Sequence, residues 1–432
     1  DLAKETVLSG TVRLYDIDAE AAENNRKIGT RLFEREDVKG NFKFETSASL
    51  REALTGADFV VISILPETLD EMESDVHLPE RCGIYQSVGD TVGPGGLVRA
   101  LRTIPMYVEI AEAVKQFCPQ AWVISYTNPM SLCVKTLYHV FPQIKAFGCC
   151  HEVFGTQKVL RDIVRLETGK TDIERDEINH FTWFTRASYQ GMDLFPVYDR
   201  FIDQHFEEGY NDPDRNWMNG TFNCAHRVKF DLFKRYGAIA AAGDRHLAEF
   251  MPGDLYLKNP ETVKAWKFAL TPVSWRKERQ ADKNAQALRL ASGEEELKLG
   301  DTGEEGLRLI KALCGAERFV TNVNIPNFAG QIPNFPKDAV VETNAVFSRD
   351  HIAPVYAGEC PQEIAKLTMP HIRAHEMILD AALNCDFEEA YCAFMSDPLV
   401  RGRISFGEGE ELLRDMIRNT AAYLPEGWKK YI

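Results

Sequence analysis

The sequence predicts an α/β fold: a mostly parallel sheet wrapped by helices over residues 1–170, followed by an α+β region over residues 171–432. Three observations point there. Apolar runs of strand length alternate with helix-length segments through the first part, the order that builds parallel sheets with right-handed crossovers. One of those runs, residues 57–65 (Ala-Asp-Phe-Val-Val-Ile-Ser-Ile-Leu), is apolar and β-branched almost throughout, which predicts burial on both faces. Polar residues cluster just after two others, at 125–130 (Ser-Tyr-Thr-Asn-Pro-Met) and 148–153 (Gly-Cys-Cys-His-Glu-Val), and ligands bind outside the carboxyl ends of parallel strands.

Taken in order, residues 1–10 read as the end of a helix and 11–18 as a strand ending in acids. In a dinucleotide-binding, Rossmann-like unit an acid about 20 residues past the glycine loop bonds the ribose hydroxyls. Asp16 fits that acid, so the strand and glycine loop of the unit are expected ahead of residue 1. A helix follows over 19–33, then a short helix opened by Ser47 or Ser49, and the strand 57–65, whose Ser63 joins Asp16 as a candidate cofactor contact. The run Val-Gly-Pro-Gly-Gly at 92–96 is either a turn or a place where Gly93 and Gly95 let backbone approach a cofactor. It leads into a helix to residue 117, with Pro105 as a kink. Strand 121–126 precedes Asn128 and Pro129, which suit the cap and first turn of a helix. Strand 144–149 and helix 156–168 complete the first region.

From residue 171 the pattern changes. Residues 178–189 read as a strand or hairpin, 222–236 as a helix stopped by Gly237, 276–288 as a charged, solvated helix, and 324–334 as a Pro- and Asn-rich loop between strands, with helices beyond. This second region is expected to close over the first.

Composition excludes some functions. With 432 residues, 44 % hydrophobic and 27 % charged, the chain is globular, and its net charge of −15 argues against a nucleic-acid partner. No run reaches the roughly 18–20 apolar residues of a membrane helix. Ten cysteines, several inside apolar runs, read as reduced core residues and predict a cytoplasmic protein.

At Asn128-Pro129, Cys150-His151 and Asn179-His180 the sequence resembles glycoside hydrolase family 4, the NAD- and metal-dependent glycosidases. Residues 15–18, 93–96, 102–105, 243–252 and 324–342 support the likeness, which runs along most of the chain. The resemblance implies a lactate/malate-dehydrogenase-like fold and a dimer or tetramer. It implies Cys150 and His180 as ligands of a divalent metal, usually manganese, which also holds the substrate's O2 and O3. Asn128 and Asn179 fall in the motifs that contact sugar. Cys-His-Glu-Val looks like the branch acting on α-galacturonides. His151 takes the place of the leaving-group acid, and the C2 base is Asp244 or, as in some members, Tyr236. A uronate needs a cationic or amide partner at C6, for which Arg81, Arg186 and Arg245 are candidates.

The family route implies hydride transfer from sugar C3 to NAD, loss of the acidified C2 proton, elimination of the aglycone, water addition and return of the hydride. Two other readings compete. A 2-hydroxy-acid dehydrogenase of the lactate or malate type shares the sheet and an Asn-Pro after a strand, but would produce net NADH. A non-enzymatic NAD- or sugar-binding sensor would leave the Cys150–His180 pair and a base without purpose. Singly, Cys150 and His180 are also readable as core residues and Asp244 as a helix cap. Within the family, α-glucuronides and α-galactosides stand behind the galacturonide.

Overall fold

Asp18 starts the first helix. Its carboxylate accepts from the amides of Glu20 and Ala21, so α1 spans Ala19–Phe33. That helix crosses between two parallel strands, β1 (Ser9–Leu14) and β2 (Asn41–Thr46). The expected helix end at residues 1–10 is instead a single 3-10 turn at Leu2–Lys4, because Ser9 and Gly10 are poor helix formers and the strand begins there. The computed structural model describes residues 1–432 except 151, 169–182, 190, 213–215, 219, 271, 301–302 and 304.

A six-stranded sheet carries the site. Its parallel part is β3 (Phe59–Ile62), β4 (Trp122–Ser125) and β5 (Lys145–Gly148). Antiparallel strands β6 (Phe319–Pro326), β7 (Val340–Ser348) and β8 (His351–Pro354) extend it, in the order β8-β7-β6-β5-β4-β3. The join is one residue pair, Asn324 opposite Gly148. The expected two-sided burial of the β3 run fails at Val61, which is 55 % exposed, since β3 is the last strand of this sheet. Residues 324–326, expected as loop, belong to β6.

The helices near the site are α2 (Gly93–Phe117, with Pro105 inside), α3 (Met130–Val140), α4 (Glu152–Thr168), α5 (Arg227–Tyr236), α6 (Asp244–Glu249) and α7 (Val273–Ser292). Beyond them α8 (Gln362–Asn384), α9 (Phe387–Ser396) and α10 (Phe406–Asn419) pack with α2 into the largest core, around Leu101, Ile104, Phe394, Leu412 and Trp428. A second core lies on one face of the sheet, where Phe147 and Phe347 meet edge to face at 5.2 Å. Inside α2, Arg102 is fully buried and bonded to Glu67 and Asp75, while Arg99 bonds the same Glu67. Two guanidiniums and two carboxylates thus neutralise one another in the interior. All ten cysteines are free thiols, and among the described residues no helix is long and apolar enough to cross a membrane.

Candidate active site

The chain leaves β4 through a cis Asn128-Pro129 bond. Asn128 was expected to cap the next helix; Pro129 stands at that position instead, and α3 begins at Met130 without a side-chain cap. Asn128 is thereby released for other contacts. Its amide nitrogen donates to Asp90 Oδ1 at 3.4 Å, and its carbonyl accepts from Arg99 Nε at 3.1 Å.

The chain leaves β5 at Gly148, where a Cβ would lie 2.8 Å from Met130 Sδ and 3.1 Å from Asn324 Cβ, so only glycine fits. Cys149 and Cys150 follow. Burial pushes the Cys150 thiol up, and the nearby carboxylates of Glu342 and Glu152 push it further. Glu342 projects from β7 on the face that also carries Asn322 and Asn324; burial raises it to about 7 against the bond it accepts from Asn322 Nδ2, with Glu152 adding to the rise. The buried Asn324 Nδ2 and Asn322 Oδ1 have no partner among the described residues. A thiol, two acids and the free Asn322 Oδ1 are atom types that a divalent cation takes, but the ligating atoms of Cys150, Glu152 and Glu342 do not all lie within 4.8 Å of one another. Glu342 was not foreseen, because an acid in an apolar strand reads as a solvent-facing residue.

The first turn of α4 ties this corner to a second polar cluster. Glu152 accepts from Gly243 N at 3.0 Å and lies 3.5 Å from His246 Nε2, and Thr156 Oγ1 accepts from Lys229 Nζ at 2.5 Å. Asp244 is fully buried; its two oxygens accept from the amides of Lys229 at 3.1 Å and Val228 at 3.3 Å. The helix-cap reading is thus realised on a different helix, α5, rather than on α6. Burial pushes Asp244 up to about 6, opposed by Lys229 and by those amides. Tyr236 sits half-buried at the far end of α5, against Trp183 at 5.8 Å. Of the two base candidates, Asp244 is the one joined to the Cys150 segment through Glu152.

Among the described residues one group brings three metal-ligating atoms within 4.8 Å of each other: Cys224, His226 and Asp244. Their Cys-x-His spacing was a signal the sequence offered. The buried Lys229 ammonium beside them already balances the Asp244 charge, and burial pushes the Cys224 thiol up to about 12. This cluster holds Asp244 without needing an ion.

The remaining candidates separate clearly. Arg245 is 6 % exposed, with its guanidinium on the carbonyls of Ala269 and Ser87 and 4.8 Å from the Phe222 ring centroid. Arg81 pairs with Asp415 at the surface, and Arg186 is exposed. Asp16 and Ser63 lie exposed just past the ends of β1 and β3; Asp16 Oδ1 accepts from Asp18 N at 2.9 Å. Gly93 and Gly95 do not fit as cofactor contacts. Both are buried, Gly93 N donates to Asp397 and Gly95 N to Gln86, and a Cβ on Gly95 would lie 2.5 Å from Gly89 O. Their smallness serves packing. His151, Asn179 and His180 lie outside the described residues.

Residues 1–166 match the model of the family 4 glycosyl hydrolases, and residues 178–400 that of the family 4 glycosyl hydrolase C-terminal domain. The chain belongs to glycoside hydrolase family 4. Relatives of this family 4 chain include the α-galacturonidase of Lachnoclostridium phytofermentans, 60 % identical over 99 % of this chain and 93 % of its own length. The α-galacturonidase of Bacillus subtilis is 49 % identical over 97 % of this chain and 93 % of its own. Among solved structures, Bacillus subtilis lplD, described as a glucosidase, superposes with a TM-score of 0.91 at 48 % identity, covering 96 % of this chain and 94 % of that one. A 6-phospho-α-glucosidase from gut microorganisms, solved with NAD and Mn2+, shares the fold at a TM-score of 0.77 and 20 % identity, covering 96 % and 92 %.

Proposed function

We propose that this family 4 glycosidase hydrolyses α-galacturonides, with NAD and a divalent metal, manganese, as cofactors. The observation that carries the reading is the near full-length identity of 60 % and 49 % to two α-galacturonidases, on a chain whose Cys150 stands in a pocket of acids. When bound, NAD supplies a reversible hydride acceptor for sugar C3 and the metal a Lewis acid for O2 and O3. Cys150 and His180 would hold the metal, with Glu342 and Glu152 setting the negative charge around it. Asp16 and Ser63 would meet the nucleotide.

Asp244 is the base for the C2 proton. A carboxyl raised to about 6 is a stronger base than a solvated one and still ionised near neutral pH. His151 would donate the proton that the leaving group needs. Asn128 and Asn179 would hold sugar hydroxyls, and Arg245 a wall of the sugar site. We also propose assembly as a homodimer or homotetramer in a reducing cytoplasm, which keeps Cys150 a thiol.

The test is hydrolysis of a chromogenic α-D-galacturonide under reducing conditions, with NAD and manganese each added or withheld. Release that needs both, without accumulation of NADH, is expected. NADH accumulating in proportion to a hydroxy acid would make the protein a dehydrogenase, and faster turnover of an α-glucuronide or α-galactoside would move the substrate within the family.

A further inference from the structure

Helix α7 opens with Pro-Val-Ser-Trp-Arg-Lys, residues 272–277, which puts two cations in its first turns. The helix macrodipole disfavours cations there by roughly 0.3–1 kcal/mol each, so each needs a reason. Lys277 has one: it pairs with Asp70 at 2.6 Å and with Glu73. Arg276 has no such partner. It makes no hydrogen bond or ion pair among the described residues, although it is half-buried and burial lowers its pKa.

Instead Arg276 lies 5.7 Å from the centroid of the same Phe222 ring that Arg245 approaches at 4.8 Å. Burial, with the Arg276 charge nearby, pushes Arg245 down to about 10. Such a pair is unfavourable unless an anion joins it. The groups that face Arg276 are Asp90, Arg99, Glu249 and Glu67. Glu67 and Arg99 are already paired with each other. Glu249, with both oxygens buried on the amides of Val88 and Gly89, is raised to about 8 by burial and is largely neutral at pH 7. Among the described residues Asp90 is a carboxylate that acts on both guanidiniums. That carboxylate is the one Asn128 touches, so Arg276 borders the proposed sugar site.

We infer that Arg276, oriented by Phe222 beside Arg245, binds the C6 carboxylate of the substrate and selects uronides over neutral hexosides. The inference rests on the α-galacturonide reading above. A planar guanidinium matches a carboxylate in two parallel hydrogen bonds, whereas a hydroxymethyl group at C6 offers the Arg276 guanidinium no charge to pair with. The sequence pattern hid this residue, because the rest of α7 is a solvated charged helix and Arg276 shares its composition.

The experiment compares wild type with Arg276→Gln and Arg276→Lys, and with Arg279→Gln as a surface control on the same helix, all loaded with NAD and manganese. Binding of D-galacturonate and D-galactose is measured by calorimetry, and kcat/KM on the matching aryl α-glycosides. Arg276→Gln should lower the uronide-to-hexoside ratio on the order of 100-fold, chiefly through KM and binding. Arg276→Lys should recover part of it, and Arg279→Gln should leave it unchanged. Equal losses on both sugars, or an unchanged ratio, would overturn the inference. If wild type binds galacturonate selectively but hydrolyses neither glycoside, the hydrolase reading fails while the carboxylate site stands. If it binds galactose as well as galacturonate, the carboxylate site fails whatever is hydrolysed.

Discussion

Replacing Asp244 separates its two duties. As an acceptor it caps α5 through the amides of Val228 and Lys229, and as a charge it offsets the buried Lys229. Loss of a capping side chain costs about 0.5–2 kcal/mol, and buried amides left without an acceptor about 1–3 kcal/mol. Asp244→Ala should therefore destabilise the protein by roughly 2–4 kcal/mol. Asp244→Asn keeps an oxygen for the cap but, like Asp244→Ala, leaves the buried Lys229 without this opposing charge, so its own cost is about 1–3 kcal/mol. On the proposed role of Asp244 both variants lack the base, so both should lose on the order of 100-fold or more in turnover. The stability difference is read by urea unfolding of the metal-free protein. The chemical difference is read by exchange of the C2 proton of the substrate with deuterated solvent. An Asp244→Asn enzyme that still exchanges that proton at the wild-type rate would refute the assignment and direct attention to Tyr236.

Three further outcomes follow from the same geometry. Glu249 has a folded-state value near 8 against 4.5 as reference, so the folded protein keeps a proton that the unfolded chain releases; this stabilisation is full below about pH 4.5 and is lost as pH rises through 8. Glu249→Gln, neutral at every pH, should flatten the stability profile over that window in urea titrations, and an unchanged slope would contradict the burial argument. Cys150→Ser should weaken manganese binding at least about 10- to 100-fold, measured from the electron spin resonance of free ion, since a serine hydroxyl does not ionise; equal affinity would remove Cys150 as a ligand. Arg102→Met should cost about 3–5 kcal/mol in denaturant unfolding, because Glu67 keeps Arg99 but Asp75 is left buried without a cation; a neutral result would mean that the network relaxes into another pairing.

Where sequence and structure agree, a local signal was strong enough to survive its surroundings. The helix over 19–33 was read with its observed bounds as α1, and Gly237, left-handed at φ 65°, marked the end of α5. Strand β2 escaped because it exposes Asn41, Lys43 and Glu45 and so reads as loop. The helix Leu69–His77 was announced by Thr68 and Glu71, a capping box that passed unread. The site divides in the same way. Asn128, Cys150 and Asp244 stand at strand ends or helix starts, where position along the chain already suggests a ligand. The roles proposed for Glu342 and Arg276 depend on which way one side chain turns from a strand or a charged helix, and that is set by packing between distant segments.

The single pairing of Asn324 with Gly148 has a consequence for how this protein varies. The two family regions are not exchangeable modules: their boundary runs through a shared sheet, and Phe147 from one region is completed by Phe347 from the other. A graft of one relative's carboxyl-terminal region onto this amino-terminal one would have to preserve that ring contact and the tight fit at Gly148. The same seam lies two residues before Cys150. If Cys150 holds the metal as proposed, a substitution that loosens this seam should change metal affinity.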